Sequence, residues 1–216
     1  MSDIRDRLLR IDTPSLSDAL DKLGLPGALI GLSPMTVTAR IAGQAQTVRL
    51  GPAVEGLPKR HLGAAAIMAA NPGDIIVIQH GRDDVSGWGG LLSRGALAKQ
   101  VSGVVIDGGF RDIDEARELG LPVFGRAAVP VTARGRIAEH GWNEPIAVAG
   151  VDVSPGDWLV ADGSGVVVLR QNRIDEILAT AEAIVRREAL MVRDIESGRP
   201  IGEVLGADYE DMLKQD

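Results

Sequence analysis

The chain contains no cysteine. That excludes a disulfide framework, a thiolate nucleophile and any cysteine-ligated metal site. Aromatic residues make up only 3% of the sequence, so its core must be built from Val, Ile, Leu and Ala. No stretch of about 18 apolar residues is present, so no membrane-crossing helix and no membrane partner are expected. No early apolar run resembles a secretory leader, and the cytoplasm is the expected compartment. Net positive charge is also missing: at −7 the chain is poorly suited to a nucleic-acid groove, and no nucleic-acid partner is expected. The histidines His61, His80 and His140 lie too far apart for metal-ligand spacing, which leaves them surface or loop roles.

What is present suits a globular α/β chain. The 216 residues are 45% hydrophobic and 25% charged, and no low-complexity linker divides them, so we read one domain with a sizeable core. Helices are expected over residues 1–10, over a segment after Asp12 capped by Thr13 or Ser15 and ending at Gly24, over 60–70, over 113–119 and over 174–195. In the last of these, Ile174, Ile177, Leu178, Ala181, Ile184, Val185 and Ala189 form one apolar stripe. Strands are expected at 37–41 and 44–50 around Gly43, and at 75–79, 104–106, 122–124, 146–148, 151–153, 158–161 and 166–169. Residues 51–58 read as loop, and 130–144 as a strand pair or long loop. One turn device occurs twice, as Asn71-Pro72-Gly73-Asp74 and Ser154-Pro155-Gly156-Asp157, each just before a strand. Proline presets the first central position and glycine supplies the positive φ of the second.

Chemistry concentrates in residues 88–112. Gly89 and Gly90 precede Leu91-Leu92 and a helix-compatible run. A helix N-terminus leaves N–H groups unpaired and carries partial positive charge, so a carboxylate or phosphate could sit on these amides. The alternative is that the glycines only permit a tight loop. Further on, Val104-Val105-Ile106 reads as a buried strand, and Arg111-Asp112 follows just past its end, where α/β sheets collect functional groups. Arg111 offers a planar donor fork for a carboxylate or keto oxygen. Asp112 offers a hard oxygen ligand suited to Mg²⁺ or Mn²⁺. Equally, Asp112 could cap the helix at 113–119, with Arg111 paired to Asp114 or Glu115. Lys99 could be proposed as a Schiff-base lysine, but its polar surroundings suit a solvated tip. Asp83-Asp84 reads as a charged loop and Asp162-Gly163-Ser164-Gly165 as a hairpin turn. Glu188 could be no more than a charged flank of Arg186 and Arg187.

The set Trp88-Gly-Gly-Leu-Leu, Val104-Val-Ile-Asp-Gly-Gly-Phe-Arg-Asp112 and Leu121-Pro-Val-Phe resembles the family that joins 4-hydroxy-4-methyl-2-oxoglutarate aldolases to the regulator of ribonuclease activity A. Ser17-Asp18-Ala19-Leu20-Asp21, the two Pro-Gly-Asp turns and Ala161-Asp-Gly-Ser-Gly-Val-Val-Val168 extend the likeness over nearly the whole chain. The resemblance implies a swivelling β/β/α domain with mixed sheets, flanking helices and a helical extension from about residue 173, assembled as a homotrimer or hexamer. It implies a class II lyase that uses Mg²⁺ or Mn²⁺ on a pyruvate-derived 2-keto acid, with oxaloacetate decarboxylation as a related activity. The backbone at Gly89, Gly90, Leu91 and Leu92 would then receive the pyruvyl carboxylate. Arg111 would contact the keto acid and its enolate, and Asp112 would bind the metal. Glu188, from a neighbouring subunit, would move a proton. One departure stands out: aldolase members usually carry Asp or Glu where this chain has Gly90. The rival reading is a non-catalytic regulator that binds ribonuclease machinery.

Overall fold

The structure, a computed structural model, describes residues 2–57 and 60–205. Pro58, the end of one expected loop, lies outside the described residues. The chain opens with helices α1 (Ser2–Leu8) and α2 (Thr13–Lys22), strands β1 (Ser33–Pro34) and β2 (Ile41–Pro52), and helix α3 (Ala64–Ala69). Strand β3 (Ile75–Gln79), helix α4 (Gly90–Ala98), strands β4 (Gly103–Asp107) and β5 (Gly109–Phe110), and helix α5 (Ile113–Glu118) form the middle. Then come seven strands: β6 (Val123–Gly125), β7 (Ala127–Ala128), β8 (Ile137–Trp142), β9 (Ile146–Val148), β10 (Val151–Val153), β11 (Trp158–Asp162) and β12 (Gly165–Leu169). The long α6 (Ile174–Glu196) and short α7 (Ile201–Val204) complete the described chain.

The main sheet runs β1-β6-β4-β3-β2-β11-β12, with β8 also paired to β2. Strands β2, β3, β4 and β6 are parallel neighbours, while β8, β11 and β12 join antiparallel. This is the expected mixed α/β architecture, curled into a nearly closed barrel. Strand parity divides its core. Ile75 and Val77 of β3 point inward with Val105, Phe124, Leu159 and Val166. Ile76 and Ile78 point outward onto the layer containing α3, α4 and α5. On the opposite wall Trp158, Val160, Val167 and Leu169 pack against α1, α2 and α6. A strand covered on both faces reads as a continuous apolar run, which is why β3, β4 and β12 were visible in the sequence.

The two Pro-Gly-Asp turns form as expected, with Gly73 at φ +94° and Gly156 at φ +84°. Their aspartates close them. Asp74 Oδ2 accepts the Asn71 N–H at 2.8 Å, and Asp157 Oδ2 accepts that of Ser154 at 2.9 Å.

Several expectations need correction. The two strands around Gly43 are one strand, β2, and residues 37–40 are not part of it. Gly43 marks a close crossing, since a Cβ there would lie 2.1 Å from the Gly73 carbonyl oxygen. The cap of α2 is Asp12, which accepts the Ser15 N–H at 2.9 Å. Thr13 is drawn off to Asp162, at 2.9 Å through its N–H and 2.7 Å through its hydroxyl. Helix α3 starts only at Ala64, because Gly63 sits at φ +70° with its N–H donated to Glu139. The apolar stripe of α6 is buried through Ile184, but Ala189 is exposed.

Candidate active site

Strands β3 and β4 end side by side, and the loops leaving them are laced together. The Gly87 N–H donates to the Gly109 carbonyl at 2.9 Å, and the Arg111 N–H donates to the Trp88 carbonyl at 3.2 Å. Trp88 is buried, and its Nε1 donates to Ser93 Oγ at 3.0 Å. Ser93 Oγ in turn donates to the Gly89 carbonyl at 3.1 Å. These contacts fix the point at which α4 begins.

Arg111 and Asp112 stand opposite that helix start. Asp112 occupies the N-cap position of α5 but makes no cap bond to it. Its backbone is left-handed, at φ +60° and ψ +40°, a conformation that Asp tolerates better than most residues. The effect is to turn its carboxylate towards α4, where Oδ2 accepts the Gly90 N–H at 2.8 Å. The cap foreseen for the helix at 113–119 thus serves a different helix. Arg111 Nε lies 3.6 Å from Asp112 Oδ2, and about two-fifths of each side chain is exposed. The alternative partners are engaged elsewhere: Asp114 with Arg117 at 3.2 Å and Glu115 with Arg94 at 2.7 Å.

Both glycines lie against side-chain carboxylates. A Cβ on Gly89 would lie 2.7 Å from Asp112 Oδ2, and one on Gly90 only 1.8 Å from Glu115 Oε2. Two hollows share the Arg111–Asp112 wall. The narrower, about 100 Å³, reaches under the start of α4 to Ser86, Trp88 and Leu92, with His61 and Leu62 at its edge. The wider, about 530 Å³, runs along Glu115, Ala128, Val129 and Pro130. Gly89, Gly90, Leu91, Leu92, Arg111 and Asp112 are therefore brought together. The Gly90 N–H is already engaged, so an incoming carboxylate would meet the Leu91 and Leu92 amides. Leu91 itself projects, 81% exposed.

Glu188 is not part of this cluster within the chain. It lies half-buried on α6 beside Asp12, Ser15 and Asp18. Burial, then the charges of Asp12 and Asp18, push its carboxyl above the ordinary glutamate range, against a Ser15 hydrogen bond.

The donor set suits one kind of metal. Among the described residues, no three His, Asp or Glu side chains converge, so a closed structural cage is excluded there. Asp112 keeps Oδ1 out of its bond to Gly90 and is open to solvent. A single hard carboxylate of this kind fits Mg²⁺ or Mn²⁺, which retain waters and take oxygens from substrate.

Two supporting residues escaped the sequence reading. His80 is buried, not on the surface. Its Nε2 lies 2.7 Å from the Val85 carbonyl oxygen, and Gly87 and Gly108 pack on its ring. Glu139 is buried on β8, where Oε2 accepts the Gly63 N–H at 2.8 Å and Oε1 lies 3.9 Å from Arg60. It steadies the segment that carries His61 and Leu62 to the pocket edge. Glycines spaced about His80 were the only signal for the first, and nothing in the sequence marked the second. Lys99 is exposed at the end of α4, as expected of a solvated tip.

A mixed α/β barrel whose strand-end loops converge on an Arg-Asp pair below a helix N-terminus defines the class. Residues 13–168 match the family described as RraA-like, Aldolase/RraA, and the chain belongs to that family. It is 30% identical over 205 residues to the DlpA protein of Legionella pneumophila, covering 92% of this chain and 32% of that protein. It thus spans about a third of DlpA's length, and 62% of the MJ0644 protein of Methanocaldococcus jannaschii. A Halalkalibacterium halodurans protein with a provisional 4-hydroxy-4-methyl-2-oxoglutarate aldolase name is 31% identical, over 80% of this chain and 79% of its own length. Among solved structures, an uncharacterised Pseudomonas syringae protein superposes with TM-score 0.85 at 32% identity, covering 95% of this chain and 98% of its own. Streptomyces coelicolor RraAS2, described as an unusual member of the RNase ES inhibitor RraA family, gives 0.78 at 26% identity, over 88% and 96%.

Proposed function

We propose that the protein is a divalent-metal-dependent carbon–carbon lyase. Its substrate is a 4-hydroxy-2-oxo acid such as 4-hydroxy-4-methyl-2-oxoglutarate, cleaved to pyruvate and a carbonyl product, with oxaloacetate decarboxylation by the same route. The observation that carries this reading is the meeting of Arg111 and Asp112 on one wall, directly opposite the N-terminus of α4.

The pyruvyl carboxylate lies on the Leu91 and Leu92 amides at the positive end of α4. Arg111 donates to the keto oxygen. As the C3–C4 bond breaks, the C4 hydroxyl gives its proton to a base in the site, the bonding pair moves into C3–C2, and the keto π pair moves onto oxygen to give the enolate. Arg111 stabilises that oxygen, a contribution of about 3–4 kcal/mol for a well-placed donor. Protonation at C3 then yields pyruvate. Asp112 would hold the cation, which supplies Lewis-acid polarisation of the keto group when bound. Glu188 can reach this site only from a neighbouring subunit, so a homotrimer or hexamer belongs to the proposal.

The test is pyruvate release from 4-hydroxy-4-methyl-2-oxoglutarate and from oxaloacetate, with Mg²⁺ and with chelator. Release that stops with chelator supports the lyase, and release that survives it contradicts the metal-dependent mechanism. The resemblance favours the regulator at one place: Gly90 stands where aldolase members usually carry a carboxylate. A pull-down against ribonuclease machinery, with no pyruvate formed, would be that reading's result.

A further inference from the structure

The space at Gly90 is not empty. Glu115 Oε2 lies 1.8 Å from where a Cβ on residue 90 would be, and its Cδ lies 2.6 Å from it. The carboxylate therefore fills the place in which a side chain on α4 would begin. It comes from α5, one helical turn after Asp112, so both acids leave that helix towards the same neighbour. Arg94, one turn along α4, holds Oε1 at 2.7 Å. Glu115 also lines the wider hollow, whose wall continues through Arg111 and Asp112 into the narrow one. A keto acid with its pyruvyl end in the narrow hollow would have only the wider one, on the Glu115 side, open to its C4 end.

From this we infer that Glu115 supplies the site's second carboxylate, delivered across the helix interface in place of an acid at position 90. It accepts the proton of the C4 hydroxyl as the C3–C4 bond breaks. Gly90 is then the space its carboxylate requires, and not the mark of a lost catalytic group. The inference rests on the lyase reading above.

The experiment is an exchange cycle on the full chain: Gly90→Asp, Glu115→Ala and the double variant. Pyruvate release, melting temperature and calorimetric binding of oxalate with Mn²⁺ are measured for each. Gly90→Asp alone should push the Glu115 carboxylate aside and lower the melting temperature by roughly 2–4 °C, chiefly through like charge. Glu115→Ala should leave it nearly unchanged and lower kcat about 100-fold, in the range for a positioned acid–base group. KM should change little. The double variant should recover both properties. Glu115→Gln should behave as Glu115→Ala. Unchanged kcat in Glu115→Ala, or a double variant no better than that single, overturns the inference. If the wild type releases no pyruvate, the lyase reading fails by itself. The cycle is then scored on Mn²⁺–oxalate affinity, where additive effects of the two substitutions overturn the pairing of Gly90 with Glu115.

Discussion

Asp112 caps a helix that begins twenty-two residues before it: its Oδ2 accepts the Gly90 N–H at 2.8 Å. The left-handed backbone at Asp112 makes this reach possible. One residue thus orders the mouth of the site and leaves its other oxygen outside that bond. Asn tolerates the same backbone and still accepts a hydrogen bond, so Asp112→Asn should fold normally. It should lose Mn²⁺ binding by calorimetry. Asp112→Ala should in addition be less stable by about 1–2 kcal/mol, the usual cost of a lost cap.

Arg111 is held by its backbone, through the Trp88 carbonyl, so its side chain can be changed without disturbing the loop. Arg111→Ala should lower kcat/KM by about 10²–10³, the loss of one preorganised donor to a developing oxyanion. Arg111→Lys should recover little, since a point charge does not replace a planar fork. Steady-state kinetics on oxaloacetate check both.

Glu188 should be worth more to function than to folding. Its carboxyl is held above the ordinary range chiefly by burial and then by Asp12 and Asp18. A raised pKa in the folded state means that the native chain favours the protonated acid. Stability is therefore greatest below the unfolded pKa and declines as pH rises through the folded value. Glu188→Gln should raise the melting temperature by about 1–4 °C at neutral pH, with no gain at acid pH, while slowing turnover.

Asp162 carries the opposite sign. Burial alone would raise its pKa, but the hydroxyl and N–H of Thr13, the Ser164 N–H and Arg40 outweigh it, and the carboxyl titrates below the ordinary range. Its stabilisation is present above the unfolded carboxylate pKa and is lost as pH falls through the folded value. Asp162→Asn should cost about 1–3 kcal/mol at pH 7, measured by urea unfolding. The difference from wild type should shrink in acid.

What the sequence made legible was whatever short-range physics dictates. Strands β3 and β4 are buried up to their last residue and read as apolar runs; Gly73 and Gly156 follow prolines in turns that need a positive φ. Arg111 and Asp112 were found by their place after a buried strand. What stayed hidden depends on distant partners. Gly43 looked like a strand break, but it is a crossing against the Gly73 carbonyl. Strand β8 is polar and alternates weakly, because it buries Glu139 to hold Gly63. Asp112 was seen as a cap, but local spacing could not show which helix it caps. Glu115 read only as a partner for Arg111, since its approach to Gly90 is set by how α5 packs on α4.

Formation of a 2-keto acid enolate at this site can be tested without knowing the acceptor fragment. Pyruvate in D₂O is followed by proton NMR with the protein and Mg²⁺. The methyl protons should exchange for deuterium, and exchange should stop with chelator, with Arg111→Ala and with Asp112→Asn. A methyl signal that persists with the wild-type protein, or exchange that is indifferent to all three changes, would contradict enolate formation at this site.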